Sequence, residues 1–438
     1  MELPPKIEKK AIVNALVKGT NAEILPLIEK INDNYEYWEK VKYIPLPQGY
    51  TPQMLWLNVK ASRLKGMIVV WEKYGINLCL TSQMHRMCHD FDLKFGRFWE
   101  ENSTSQKTEM MMTTVDRDYY LSSSLMEEAI YSSKMEGAST TRLVAKEMLR
   151  KKKTPRDKSQ QMIVNNYNTI QFIVQHKDDS LTEDSLLHIH RLMTEKTLDN
   201  KESAGHFREN DDVVVADMTN GDIVYTPPTY RDIPEFVKTL CEFFNDSNSN
   251  VFIHPIIRGI IIHFMLAYIH PFVDGNGRTA RALFYWYMLK NNYKLTEYMS
   301  ISRVIAKSKN SYEKAFQYVE NDGNDIGYFV AYNLRALEIA YKQLCDYIQR
   351  KQKEKKDASI FMMAGNINQR QALILQYFTN EPGAILTTKD VQEKFFVSSM
   401  TARKDLSDLV QQGYLKVFAI NKVTRGYIFE NSRKSFYR

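Results

Sequence analysis

HPIIRGIIIHFMLAYIHPFVDGNGRTAR, residues 254–281, decides how the chain is read. Pro255 suits a first helical turn, and the run from Ile256 to Ile269 is apolar on almost every side, which predicts a helix central to the core. Pro271 disfavours helical backbone at His270 and marks that helix's end. Asp274-Gly275-Asn276-Gly277 then supplies a tight turn in which backbone N–H groups can converge. A second helix is predicted from near Gly277 through Thr279, Ala280, Leu283 and Tyr287. The positive pole of a helix prefers acids, yet this one carries Arg278 and Arg281. A Gly-Asn-Gly turn, free helix N–H groups and two guanidiniums together make an anion site for more than one charge, and phosphates are the natural occupants. Asp274 would repel phosphate unless a divalent cation lay between them, which points to Mg2+. His270, at the mouth of the turn, is placed to accept a proton from a hydroxyl nucleophile.

Outward from this segment, Val213-Val214-Val215-Ala216 and Ile223-Val224-Tyr225 flank Met218-Thr219-Asn220-Gly221, and Asn-Gly between β-branched runs predicts a hairpin. A lone hairpin in a helical region has at least one free edge, onto which another chain can add a strand. Gly205-His206-Phe207-Arg208 leads into it and is expected to help place it. Further upstream, in SSSLMEEAIYSSKMEGASTTR (122–142), a helical pattern stops at Gly137. Glu136 then falls in a last turn, where the helix dipole disfavours an acid, and Ser132 lies four residues earlier on the same face.

These two anomalies coincide with a known pattern. His270-Pro271-Phe272-Val273-Asp274-Gly275-Asn276-Gly277-Arg278-Thr279-Ala280-Arg281 resembles the Fic (Fic/Doc) family signature, HPFx(D/E)GNGRxxR, at every defining position. The resemblance implies a helical Fic core and transfer of AMP from ATP to a Ser, Thr or Tyr hydroxyl of a protein. It implies His270 as general base, Asp274 as the Mg2+ ligand, and Gly275, Asn276 and Gly277 around the α-phosphate. Arg278 and Arg281 would hold the outer phosphates, and the hairpin at Val213, Val214 and Val215 would be the flap that docks the target. Ser132-Ser133-Lys134-Met135-Glu136-Gly137 resembles the family's inhibitory motif, (S/T)xxxE(G/N), which implies that Glu136 pairs with Arg281 and restrains the enzyme in cis. Two alternatives stand beside this reading: a DNA-binding regulator that uses the same core as a nucleotide sensor, and a Fic enzyme that removes AMP.

The chain's end has another texture. From Ser359 onward there are 11 Lys/Arg against 6 Asp/Glu, most of the excess in a chain of net charge +7. Helices are predicted at Asn368 to Phe378, Thr388 to Phe395 and Ser399 to Gln412, then a hairpin of Leu415 to Ala419 with Gly426 to Phe429 around Asn421-Lys422. That order resembles a winged helix-turn-helix domain, which implies Thr401, Arg403 and Lys404 in a DNA major groove and Lys422 and Arg425 on the wing.

The expected fold class is mainly α: a helical N-terminal region (1–114), a Fic core (115–350) with its inhibitory helix and short β flap, a linker (351–365) and a winged-helix domain (366–438). Seventeen Gly and 13 Pro, about 7% of 438 residues, agree with a helical chain. Within 1–114, Leu57, Ala61, Leu64, Ile68 and Trp71 fit one helical face. Cys79, His85, Cys88 and His89 match no standard zinc spacing, and His188, His190, His206 and His263 read as structural or surface residues. MELPPKIEKK holds no apolar signal core, and no run reaches the ~18 apolar residues of a membrane span, so a cytoplasmic protein is expected. Its expected partners are a target protein with a modifiable hydroxyl and DNA, with no membrane; a homodimer is left open.

Overall fold

A computed structural model describes residues 1–100, 114–216, 221–245, 251–364, 367–381, 383–395, 397–421 and 423–430, with side chains outside 96–119 and 351–364. The chain divides into two compact units, Met1–Lys342 and Gln343–Arg438.

The first unit opens with α1 (Lys9–Lys18), α2 (Leu25–Asn34), α3 (Trp38–Val41) and α4 (Pro52–Lys65), followed by strands β1 (Met67–Trp71) and β2 (Ile76–Cys79) and by α5 (Ser82–Glu100). Ile68 and Trp71 therefore leave the expected helical face. The helix ends at Lys65 with Gly66 as its cap, and Met67–Trp71 pairs antiparallel with Ile76–Cys79 across a turn with Gly75 at φ 61°. The β-branched run Ile68-Val69-Val70 favours that extended pairing over a further helical turn. The polar stretch 101–113 lies outside the described residues.

Next come α6 (Thr114–Met135), α7 (Arg142–Arg150), α8 (Lys158–Gln175) and α9 (Glu183–Thr194), then β3 (Val215–Ala216) and β4 (Ile223–Tyr225), which pair antiparallel. Val213 and Val214 precede the strand rather than forming it. The pairing is reduced to two register positions with an irregularity between Val215 and Ala216, as befits a short ribbon exposed at its edge. The expected turn at 217–220 lies outside the described residues. The unit closes with α10 (Ile233–Asn245), α11 (Pro255–Ile269), α12 (Asn276–Lys290), α13 (Ile301–Lys307), α14 (Lys309–Asn321) and the start of α15 (Gly327–Ala364).

Helix α11 is the core's axis. Its positions from Ile256 to Leu266 are all buried, as is Ile269. Each fully buried Ile or Leu there contributes about 1.5–3 kcal/mol over an exposed one. Helix α12 packs along α11, and α6 packs on α8 and α13. No helix among the described residues is long and apolar enough to cross a membrane.

In the second unit the expected linker, as far as Ala364, is helical and belongs to α15. Its Lys-rich sequence is a good helix former with no internal Gly or Pro to stop it. Then α16 (Gln369–Asn380), β5 (Leu386–Thr387), α17 (Thr388–Phe395), α18 (Ser399–Gln411), β6 (Leu415–Ala419) and β7 (Arg425–Phe429) pack on Leu375, Phe378, Val391, Leu406, Leu409 and Tyr427. The sheet order is β5-β7-β6. The two-residue β5 was not expected: a strand of that length carries no alternation from which to read it. Lys422 lies outside the described residues.

Candidate functional site

The loop between α11 and α12 joins the two central helices at a sharp reversal. His270 ends α11 in the left-handed region, φ 51°, and Gly275 opens α12 at φ 84°. For a non-glycine residue the left-handed conformation costs roughly 1–2 kcal/mol, so His270 must be held by its surroundings. A Cβ at Gly275 would meet Thr194 Cγ2 at 2.7 Å and the His190 ring at 3.3 Å, so glycine is required there by space as well as by φ.

The loop is braced from within and behind. The Asn276 side chain receives the Phe272 N–H at 3.0 Å and donates to Phe272 O at 2.8 Å. Oδ1 and one of the two amide N–H bonds are thereby engaged within the loop. His190 accepts the Gly205 N–H on Nδ1 at 3.0 Å, so its Nε2–H donates to Asp274 O at 2.8 Å. Its ring stacks on Phe272, and burial pushes its pKa down to about 4. His263, also buried, meets the Tyr312 hydroxyl at 2.9 Å.

His270 is half-buried. Its Nδ1 lies 3.1 Å from Ala267 O and donates to it, which leaves Nε2 with the lone pair. Burial holds its pKa below the usual imidazole value, opposed by that carbonyl and by the charge of Glu136. No side chain caps α12. Two guanidiniums are buried beside its first turn. Arg278 donates to Met193 O at 3.2 Å and lies 3.3 Å from Asp274 Oδ2, while its Nε is buried without a partner. Arg281 donates to Ser132 Oγ at 2.9 Å, to Ser132 O at 3.0 Å and to Glu136 Oε1 at 2.8 Å. The Glu136 carboxylate lies against Gly277, where a Cβ would collide with it. The acid at the wrong end of α6 and the base at the wrong end of α12 are therefore partners.

Helix α6 is fixed two turns before Glu136 by a second acid that sequence reading missed. Glu128, 2% exposed, accepts from the Tyr285 hydroxyl at 2.7 Å, from Ser300 Oγ at 3.2 Å, from the Ser302 N–H at 2.9 Å and from the Ser302 hydroxyl. Burial raises its pKa. The adjacent pair Glu127-Glu128 carries no spacing signal, because what Glu128 meets comes from α12 and α13.

Among the described residues no group of three His, Cys, Asp or Glu side chains could hold a metal ion alone. Asp274 is 45% exposed on its side chain, with Oδ1 receiving the Gly275 N–H at 2.5 Å. A single accessible carboxylate beside an anion-seeking loop fits Mg2+, which is commonly held by one or two carboxylates together with phosphates. The unpartnered Arg278 Nε and the uncapped helix fit those phosphates.

Residues 180–288 match the family model described as Fic/DOC family, and residues 370–418 match the DeoR-like helix-turn-helix domain. The chain carries a Fic/DOC domain. Its relatives include the protein adenylyltransferase Fic of Nematostella vectensis, 36% identical over 110 residues, which are 24% of this chain and 22% of that protein. Another is the protein adenylyltransferase fic-1 of Caenorhabditis elegans, 39% identical over 69 residues, 16% of this chain and 13% of that one. The chain thus matches less than a quarter of the length of these curated relatives. A Fic family protein from Desulfovibrio desulfuricans G20 shares the fold with a TM-score of 0.52 at 18% identity, over 80% of this chain and 97% of that one. The Fic domain contains the loop, His270 and both arginines; Ser132 and Glu136 lie outside the matched residues and meet it in space.

Proposed function

We propose that the chain is a protein adenylyltransferase held in check by its own Glu136. The observation that carries this reading is the uncapped first turn of α12, with two buried guanidiniums beside it and the His270 imidazole at the end of α11. His270 Nε2 takes the proton of a Ser, Thr or Tyr hydroxyl on the target as that oxygen bonds to the α-phosphorus of ATP. The bond from that phosphorus to the β-phosphate bridging oxygen breaks, and pyrophosphate leaves with the electron pair. The Nδ1–H bond to Ala267 O fixes the tautomer this requires. Backbone N–H groups at Asn276 and Gly277 and the Arg278 guanidinium favour the charge of the phosphates. Mg2+, when bound at Asp274, would neutralise charge on the α- and β-phosphates. Arg281 can serve the outermost phosphate only when it releases Glu136, which supports restraint in cis. The hairpin β3–β4 would receive the target segment as an added strand.

Labelling with radioactive ATP and Mg2+ tests the reading. Glu136→Gly is expected to label protein, itself included, and Glu136→Gly/His270→Ala to lose about 100-fold or more of that rate. Equal labelling by both variants would refute it.

A second role has its own support in the DeoR-like domain. Ser398 caps α18, receiving the Thr401 N–H at 3.1 Å, and Arg403 and Lys404 are exposed on that helix while Thr401 is half-buried. We infer that α18 binds DNA. Arg403→Ala/Lys404→Ala is expected to weaken a salt-sensitive gel shift and to flatten its salt dependence by about one unit of slope for each phosphate no longer neutralised. A slope equal to that of the unsubstituted chain would exclude these two side chains from the phosphate backbone.

A further inference from the structure

The Arg208 side chain is only 1% exposed, and each arm of its guanidinium faces oxygen. Nε donates to His270 O at 3.0 Å, Nη1 to Asn210 O at 2.7 Å and to Asp211 Oδ1 at 2.9 Å, and Nη2 to Pro228 O and, at 3.5 Å, Ile269 O. The Arg208 backbone N–H donates to Pro271 O at 2.8 Å. Asp211 in turn receives the Tyr230 N–H at 2.6 Å and the Thr229 hydroxyl at 2.8 Å. One planar cation therefore fastens both legs of the β3–β4 hairpin, at 210–211 and 228–230, to the carbonyl of the one residue whose left-handed backbone aims the imidazole. A separate tie, Tyr225 hydroxyl to Tyr268 O at 2.7 Å, leads from the hairpin to the same end of α11.

We propose that Arg208 is a positioning residue that makes the hairpin and His270 move as one piece, so that a docked acceptor strand and its proton acceptor stay in register. The inference builds on the adenylyltransferase reading, but the mechanical coupling stands on its own contacts. A brace that merely filled space would hold hairpin and loop independently; a shared cation transmits the loosening of either one to the other. Lysine cannot replace it, because a point charge with three donors does not reach all of these oxygens as the in-plane N–H groups of a guanidinium do.

The test uses the full chain with Glu136→Gly as parent and follows hydrogen exchange together with Mg-ATP binding and AMP transfer. Asp211→Asn alters a side chain that is 54% exposed and touches neither His270 nor α11, so the fold should survive it. It is expected to speed exchange about tenfold at 223–225 and also at 269–274, with α8 unchanged. Acceleration at 223–225 alone would overturn the coupling. Arg208→Lys is expected to speed both segments and to lower transfer at saturating ATP about tenfold or more, with the Mg-ATP Kd within twofold of the parent. Loss of ATP affinity in step with transfer would reduce Arg208 to a structural brace and overturn the proposal. If the parent itself transfers no AMP, the enzymatic reading fails, while the exchange patterns still decide whether hairpin and loop are coupled.

Discussion

The loop from His270 to Gly277 is gripped on two flanks, and the grips differ in kind. On the α6 flank, Arg281 meets Ser132 and a Glu136 side chain that keeps 28% of its surface in water. On the hairpin flank, the buried Arg208 is bound chiefly to carbonyls. The Glu136 carboxylate, partly exposed on a side chain, is an anion that another anion can replace without leaving the buried Arg281 unpaired. The partners of Arg208 are chiefly main-chain carbonyls, and taking them from a buried guanidinium leaves donors unsatisfied. The first grip suits a contact that an incoming triphosphate can displace; the second suits geometry that must persist through turnover.

Removing the exchangeable grip should have the largest effect. Glu136→Gly frees Arg281 and clears the space beside Gly277, and calorimetry is expected to find Mg-ATP bound about tenfold or more tightly than by the parent chain. An unchanged Kd would mean that Glu136 does not compete with nucleotide. A smaller effect is expected from Glu128→Gln, which leaves Glu136 intact but weakens the seat of α6 on α13: basal transfer should rise a few-fold and stability fall by about 1–3 kcal/mol in urea unfolding. Stability loss without any rise in transfer would show that the register of α6 does not matter to the brake.

The smallest expected effect is on pH dependence. The base works when unprotonated, and the folded pKa of His270 lies below the ordinary value, so transfer by Glu136→Gly should begin to fall only at a lower pH than an ordinary imidazole would give. Glu136 is one of the groups that raises this pKa, so removing it should move the acid limb further down. Comparing pH–rate profiles of Glu136→Gly and Glu136→Asp, which keeps an anion, checks the direction; a limb displaced upward in the glycine variant would contradict it.

Much of the molecule could be read along the chain. The apolar run of α11, the stop at Pro271 and the glycines of the turn are local signals, and local sterics decide them. That Glu136 and Arg281 are each misplaced was also legible, because each sits at the helix end that disfavours its charge; that they pair was only what the Fic resemblance implied. Other features left no local trace. Glu128 looks like any acid in a helix until α12 and α13 supply its donors, and His190 looks like any core histidine until Gly205 and Asp274 O settle its tautomer. The strand at Met67–Trp71 reads as helix along the chain because five apolar residues can satisfy either period until a partner strand is supplied.

The order of residues alone determined a helical protein with two cations at a helix N-terminus, an acid at a helix C-terminus and a helix-turn-helix segment at its end, since each is a matter of dipole, turn or periodicity within a few residues. Only the tertiary structure decided which acid met which cation, how Asn276 and His190 brace the turn, and that one buried arginine ties the hairpin to His270. Those contacts join residues up to 145 positions apart, and burial and hydrogen-bond satisfaction in a closed core, not local preference, select among such distant partners.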